Sequence, residues 1–233
     1  MQGLMHPGGY EITKKAFDVC SLPKSAKVLD IGCGGGDTAS YLAREYDLCM
    51  TGIDTSKEAI SNAKEKYPEI EFIKGDGQFL DFDSLSYDCI LMECTLSLIK
   101  NPIEAVHEAF CVLKKDGFII IHDLYLPNPT NDDLDEITQL RDAKQKKSGS
   151  DCGDGLSPCT VNGALIMRYI DAVLDEVGFN VILFEDRKTD LDSFAAALIM
   201  DGENLEDYCG SQWSREQKSK ISYFLLIAQK VEE

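Results

Sequence analysis

Apolar positions along the chain switch between helical and strand-like spacing. Residues 10–20 carry Ile12, Ala16, Val19 and Cys20 at helical spacing, and the pattern breaks at Pro23. An apolar run at 27–32 follows, then a helical stretch at about 37–46, a second run at 48–53 and a helical stretch at 56–66. Thr55 and Glu58 form the capping pair that opens this helix. Strands are predicted near 70–74 and 87–92. The next helix lies between 102 and 114, with Asn101 as its cap, Pro102 in its first turn and Gly117 just beyond its end. "GFIIIHD" is a fifth buried strand. After it come a helix at 163–177, the strand "FNVILFEDR", a helix at 190–201 and the strand "ISYFLLIAQK". Alternating strands and helices predict an α/β fold around a mostly parallel sheet of seven strands.

The periodicity lapses from Pro127 to about Pro158, in a stretch rich in Asp, Asn, Gly and Lys. Loops of that length commonly serve function. The expected organisation is one domain over 1–233, with an N-terminal helix or lid at 1–22 and an insertion at 125–160 that forms part of a substrate pocket. A length of 233 residues suffices for one sizeable core.

Charge narrows the partners. The chain has 23 basic and 41 acidic residues, a formal charge of −18. Nucleic-acid backbones and anionic membranes attract Lys and Arg, so neither is an expected partner. A small or cationic ligand suits the field better. The nine cysteines are scattered and show no pair of CxxC modules, so no metal site is expected from spacing. The opening "MQGLMHPGGYEITKK" lacks a long apolar core, and a cytoplasmic protein with reduced thiols is expected. A monomer or a homodimer is the expected state.

"VLDIGCGGGDT" (28–38) carries the first chemistry. A nicotinamide fingerprint needs G-x-G-x-x-G, and its third glycine would fall on Asp37. The pattern Asp/Glu-x-Gly-x-Gly-x-Gly is matched in full by Asp30, Gly32, Gly34 and Gly36. Those glycines admit a ligand without phosphates, and a carboxylate at the strand end suits an ammonium. Asp54 closes the second strand, where an acidic residue can bind both ribose hydroxyls. In "KGDGQFL", Asp76 can accept from an adenine amine, while the Gly77 or Gln78 amide faces the ring.

With these residues in order, the sequence resembles the class I S-adenosylmethionine-dependent methyltransferases. "VLDIGCGGG", "GIDTS", "KGDGQFL", "YDCILMECTLSL" and "LKKDGFIIIHD" match that family's ordered motifs between about 27 and 124. The resemblance implies a Rossmann-like seven-stranded sheet with a reversed final hairpin, and S-adenosylmethionine over the strands' C-terminal ends. It implies that Asp30, Gly32 and Gly34 meet the methionine end, that Asp54 with Thr55 meets the ribose, and that Asp76 with Gly77 meets the adenine. Glu93 lies where the family passes from cofactor to substrate.

The acceptor side is less determined. "MHPGGYE" is a candidate lid whose His6 and Tyr10 close over the sulfonium, or a plain terminal turn. "MECTLSL" lacks the Asn/Asp-Pro-Pro-Tyr motif of base and amide-nitrogen methylases. His122 is the first candidate general base and His6 the second; a histidine packed beneath the loop or paired with Asp123 is the alternative. Asp123, Tyr125, Cys159 and "GAL" at 163–165 also resemble arsenite methyltransferases, but "DTASYL" lacks the cysteine that family has after its glycine loop. Cys33, Cys94 or Cys152 would have to replace it in space, with Cys94 and Cys159 as the candidate substrate thiols. The expected activity is methyl transfer to a small molecule. A thiol or metalloid acceptor, or a cofactor-binding protein without catalysis, is the alternative.

Overall fold

The structure is a computed structural model that describes residues 6–135, 159–161, 163–203 and 219–231. Helix α1 (Gly9–Cys20) precedes β1 (Lys27–Ile31), α2 (Asp37–Tyr46), β2 (Cys49–Asp54), α3 (Lys57–Lys66) and β3 (Glu71–Lys74). Then come β4 (Tyr87–Glu93), α4 (Pro102–Val112) and β5 (Leu113–Tyr125). The two-residue strands β6 (Thr160–Val161) and β7 (Ala164–Leu165) lead to α5 (Met167–Val177), β8 (Phe179–Asp186), α6 (Lys188–Met200) and β9 (Ser222–Lys230).

Strands β3, β2, β1, β4 and β5 pair in parallel, in that spatial order. β9 then runs antiparallel along β5, and β8 antiparallel along β9, which is the reversed final hairpin. Near-continuous burial of β1, β4 and β9 follows from helices covering both faces. Alternate residues feed two clusters: Val28, Leu91 and Ile120 pack with α1 and α2, while Leu29, Ile90 and Ile119 pack with α4 and α5. The order reverses between β1 and β4, and at such a switch point the C-terminal ends of parallel strands leave a crevice.

The α/β class and the seven principal strands agree with the sequence reading, and local details differ. The helix expected to reach 114 stops at Val112, and β5 starts at once at Leu113. Lys230 explains the abrupt change: its buried ammonium donates to the carbonyls of Phe110 (2.7 Å) and Leu113 (2.9 Å), satisfying the helix end from the last strand. Ser56, not Thr55, caps α3, its hydroxyl accepting from the Ala59 amide. The helix expected from 163 starts at Met167, because Ala164–Leu165 pairs back on Thr160–Val161. Most of the expected insertion, 136–158, and residues 1–5 of the expected lid lie outside the described residues.

Candidate active site

The glycine loop turns sharply because its backbone does. Gly32, Gly34 and Gly36 have φ of 81°, 50° and 79°, a region open to glycine at little cost. At Gly32 a Cβ would lie 2.1 Å from Thr95 Oγ1, so the close approach also demands glycine. The Gly32 and Cys33 amides donate to the Ile53 carbonyl, and the Gly34 amide donates to Asp54 Oδ2 at 3.0 Å. Asp54 thus ties the loop to the end of β2, and its Oδ1 accepts from Ser56 N at 2.8 Å. Asp37, which breaks the nicotinamide register, accepts from Lys66 and Tyr67 and fastens α2 to α3. Cys33 packs against Gly52, and burial pushes its thiol up, away from reactivity.

Two cavities open on this loop. One, of about 470 Å³, is lined by Ile31, Asp54, Thr55, Asp76, Gly77 and Ile99 among others. Asp76 Oδ1 accepts from the Gln78 amide at 3.0 Å, which orders the turn. A Cβ on Gly77 would meet Ile31 Cγ2 at 2.7 Å, so the slot between Ile31 and Ile99 is flat and apolar on one side. The other cavity, of about 290 Å³, is lined by His6, Asp30, Gly34, Thr38, Glu93 and Cys94 among others. Gly32, Glu93 and Cys94 line both, so the two adjoin along one crevice.

Asp30 is 2% exposed and its Oδ2 has no hydrogen-bond partner. Burial pushes its carboxyl well above the usual range, and Glu93 and Asp54 add to the shift. A buried, unmatched carboxylate in a cavity is a ready partner for a cationic ligand group.

Glu93, at the end of β4, is the hub of the second cavity. Its Oε1 accepts from Thr13 and lies 2.7 Å from His122 Nε2; its Oε2 accepts from Thr38 at 2.7 Å and lies 3.5 Å from His6 Nε2. Burial opposes its charge, but His122 and His6 and the bonds from His122 and Thr38 bring the carboxyl down to about 2. His122 is fully buried, and its Nδ1 lies 2.7 Å from the Tyr223 hydroxyl. That hydroxyl also lies 3.0 Å from Cys94 Sγ, and burial pushes its pKa up. The His6 and His122 rings are 4.9 Å apart, and burial lowers the pKa of His6.

The crevice therefore gathers Asp30, Gly32, Gly34, Asp54, Thr55, Asp76, Gly77, Glu93, Cys94 and His6, with His122 directly behind Glu93. Other sequence candidates sit elsewhere. Tyr10 stacks on Tyr41, ring centres 4.2 Å apart, and lines neither cavity. Asp123 does not pair with His122 through a hydrogen bond; it accepts from the Ser97 amide, the Ser97 hydroxyl and the Leu124 amide. Tyr125 donates to Asp186 at 2.5 Å. Cys159 is fully buried in one core cluster, while Cys33 and Cys94 belong with the other. Cys152 lies outside the described residues. Sequence reading missed Thr13, Thr38 and Tyr223, whose polar atoms matter only through partners distant in the chain.

Comparison with known proteins follows the same outline. Residues 28–117 match the family described as methyltransferase domain. Phosphoethanolamine N-methyltransferase 1 of Triticum aestivum is 27% identical over 190 residues, 80% of this chain and 34% of that protein. The ubiquinone/menaquinone biosynthesis C-methyltransferase UbiE of Campylobacter jejuni is 35% identical over 106 residues, 43% of this chain and 45% of that protein. The chain spans about a third of the length of the phosphoethanolamine methyltransferases it matches. Among solved structures, Haemonchus contortus phosphoethanolamine N-methyltransferase 2 with S-adenosyl-L-methionine superposes with a TM-score of 0.70 at 17% identity, covering 99% of this chain and 55% of that one. The cyclase SpnF gives a TM-score of 0.71 at 19% identity, covering 98% and 84%. The match over 28–117 identifies a methyltransferase domain in that part of the chain, and the fold and motif order are those that class I S-adenosylmethionine-dependent methyltransferases share.

Proposed function

We propose that the protein binds S-adenosylmethionine in this crevice and transfers its sulfonium methyl to a small-molecule acceptor. The observation that carries the reading is the pairing of Asp30, a buried carboxylate with an unmatched oxygen, with a glycine loop held by Asp54. Asp30 receives the methionine ammonium, Asp54 and Thr55 the ribose, and Asp76 with Gly77 the adenine in the flat slot. The methyl carbon passes in line from sulfur to the acceptor, leaving S-adenosylhomocysteine. Because the donor is already activated, alignment and exclusion of water supply much of the catalysis.

Glu93, His122 and His6 form the polar wall on the acceptor side and activate the acceptor. His122 acts from behind Glu93, and His6 closes the N-terminal edge. A compact acceptor such as an amino alcohol phosphate suits a cavity of this size and is consistent with the phosphoethanolamine N-methyltransferase activity named for one relative. No disulfide joins the described cysteines to one another, which is consistent with the cytoplasmic setting expected from the sequence, and no described helix is long and apolar enough to cross a membrane.

Calorimetric titration with S-adenosylhomocysteine and with NADH tests the cofactor, and mass spectrometry for S-adenosylhomocysteine release across a panel of amines, phenols and thiols tests transfer. Saturable binding of the homocysteine compound and turnover with one acceptor class are expected. Binding of NADH alone overturns the reading. Loss of turnover in His122→Ala, with cofactor affinity retained, is the expected sign of acceptor-side action.

A further inference from the structure

The geometry points to a divalent transition-metal site formed by His6, Glu93 and His122. This deepens the reading of the second cavity as the acceptor side and rests on it. Donor atoms of the three residues lie within 4.8 Å of one another. Donors about 2.0–2.2 Å from a shared ion sit up to about 4.2 Å apart, so small side-chain rotations would close the set.

The far nitrogen of each imidazole is already held. His6 Nδ1 lies 3.1 Å from the Pro7 carbonyl, which only accepts, so Nδ1 carries the proton there. The neutral ring then turns a bare lone pair at Nε2 toward Glu93 Oε2, 3.5 Å away, and that buried nitrogen has no hydrogen-bond partner. Two acceptors face each other out of water, and a cation between them resolves the conflict. On the other side, the Tyr223 hydroxyl serves either tautomer of His122. It donates to Nδ1 when Nε2–H faces Glu93. When Nδ1 carries the proton it accepts there, and its own hydrogen turns toward the His122 carbonyl at 3.4 Å or Cys94 Sγ. His122 Nε2 is thereby freed for a metal. An outer hydrogen bond that fixes ring orientation is what metal-ligating histidines ordinarily have.

Thr13 and Thr38 orient the Glu93 carboxylate and leave an oxygen site toward His6. Asp30 lines the same cavity, an oxygen-bearing neighbour of the cluster. Two imidazoles and one carboxylate suit a borderline first-row ion such as Zn²⁺, Co²⁺ or Fe²⁺ better than Mg²⁺ or Ca²⁺. With only three protein donors, positions remain for an acceptor hydroxyl or amine. The ion lowers that group's pKa, its proton leaves to solvent, and the methyl still moves from sulfur to the acceptor atom.

The test uses the full chain without an added histidine tag, stripped with a chelator. Zn²⁺ and Co²⁺ are titrated by calorimetry and by visible absorption, and S-adenosylhomocysteine is titrated separately. One ion per chain is expected, with Co²⁺ bands of nitrogen and oxygen ligation and no thiolate charge transfer. His6→Ala should lose stoichiometric binding while keeping its affinity for S-adenosylhomocysteine. Tyr223→Phe should bind the ion about 10–100-fold more weakly, as loss of an outer partner does. No stoichiometric binding by the wild type overturns the proposal, as does equal binding by His6→Ala, which would place the ion away from His6. Failure of S-adenosylhomocysteine to bind would instead defeat the cofactor reading, independently of the metal result.

Discussion

Replacing Asp30 by Asn should weaken cofactor binding and strengthen the ligand-free fold at the same time. The carboxylate is 2% exposed, one oxygen has no partner, and Glu93 and Asp54 bear on it with like charge. In the complex it would face the methionine ammonium. A hydrogen bond to a charged group contributes about 1.5–3 kcal/mol, so Asp30→Asn should bind S-adenosylhomocysteine about 10- to 150-fold more weakly. The ligand-free protein responds oppositely. Burial raises the Asp30 pKa in the folded state, so between the unfolded and folded values the native chain holds the extra proton. Its contribution is fully present below the unfolded pKa and is lost as pH rises toward the raised one. The variant lacks that loss, so the difference in stability between variant and wild type should widen with pH. In a chain of this length each kcal/mol relieved raises Tm by about 2–4 °C. Calorimetry gives the affinity, and thermal melts from pH 4 to 8 give the stability gap. Unchanged affinity, or a gap that narrows as pH rises, would refute the assignment of Asp30.

Three further substitutions probe the frame of the site. Asp54→Ala removes the acceptor for the Gly34 and Ser56 amides, and S-adenosylhomocysteine affinity should fall at least about tenfold by calorimetry. Gly32→Ala places a methyl 2.1 Å from Thr95 Oγ1 at φ 81°; the left-handed strain alone costs about 1–2 kcal/mol, and the urea midpoint should drop accordingly. Lys230→Met leaves the Phe110 and Leu113 carbonyls without their donor, and about 1–3 kcal/mol of stability should disappear from a denaturant titration.

The parts of the molecule legible in sequence are those fixed locally. A positive φ needs glycine wherever the loop sits, so Gly32, Gly34 and Gly36 announce the turn by themselves. Asp54 and Asp76 each close a strand or open a turn that apolar periodicity already marks. The start of β5 was not legible, because "LKKDG" continues a helical pattern and only Lys230, 117 positions from Leu113, stops the helix there. Thr13 and Tyr223 read as ordinary helix and strand residues, since their partners lie 80 and 101 positions away.

The acceptor-side cluster is instead a product of strand register. Glu93 and His122 are paired residues of β4 and β5, and Leu124 of β5 pairs with Tyr223 of β9. Paired residues project to the same face, so the carboxylate meets the imidazole as a consequence of the parallel pairing. Slipping either strand by one residue would send His122 to the opposite face and bring Ile121 or Asp123 beside Glu93. The apolar residues that hold this register are Ile90, Leu91, Met92, Ile119, Ile120 and Ile121, all fully buried. Selection for the core therefore also fixes this polar cluster, which cannot be displaced without exposing the centre of the sheet. Its chemistry can still change at Glu93, which closes β4, where a side chain can be exchanged while the buried ladder beneath it stays in place, whereas His122 lies three residues inside β5 and is fully buried.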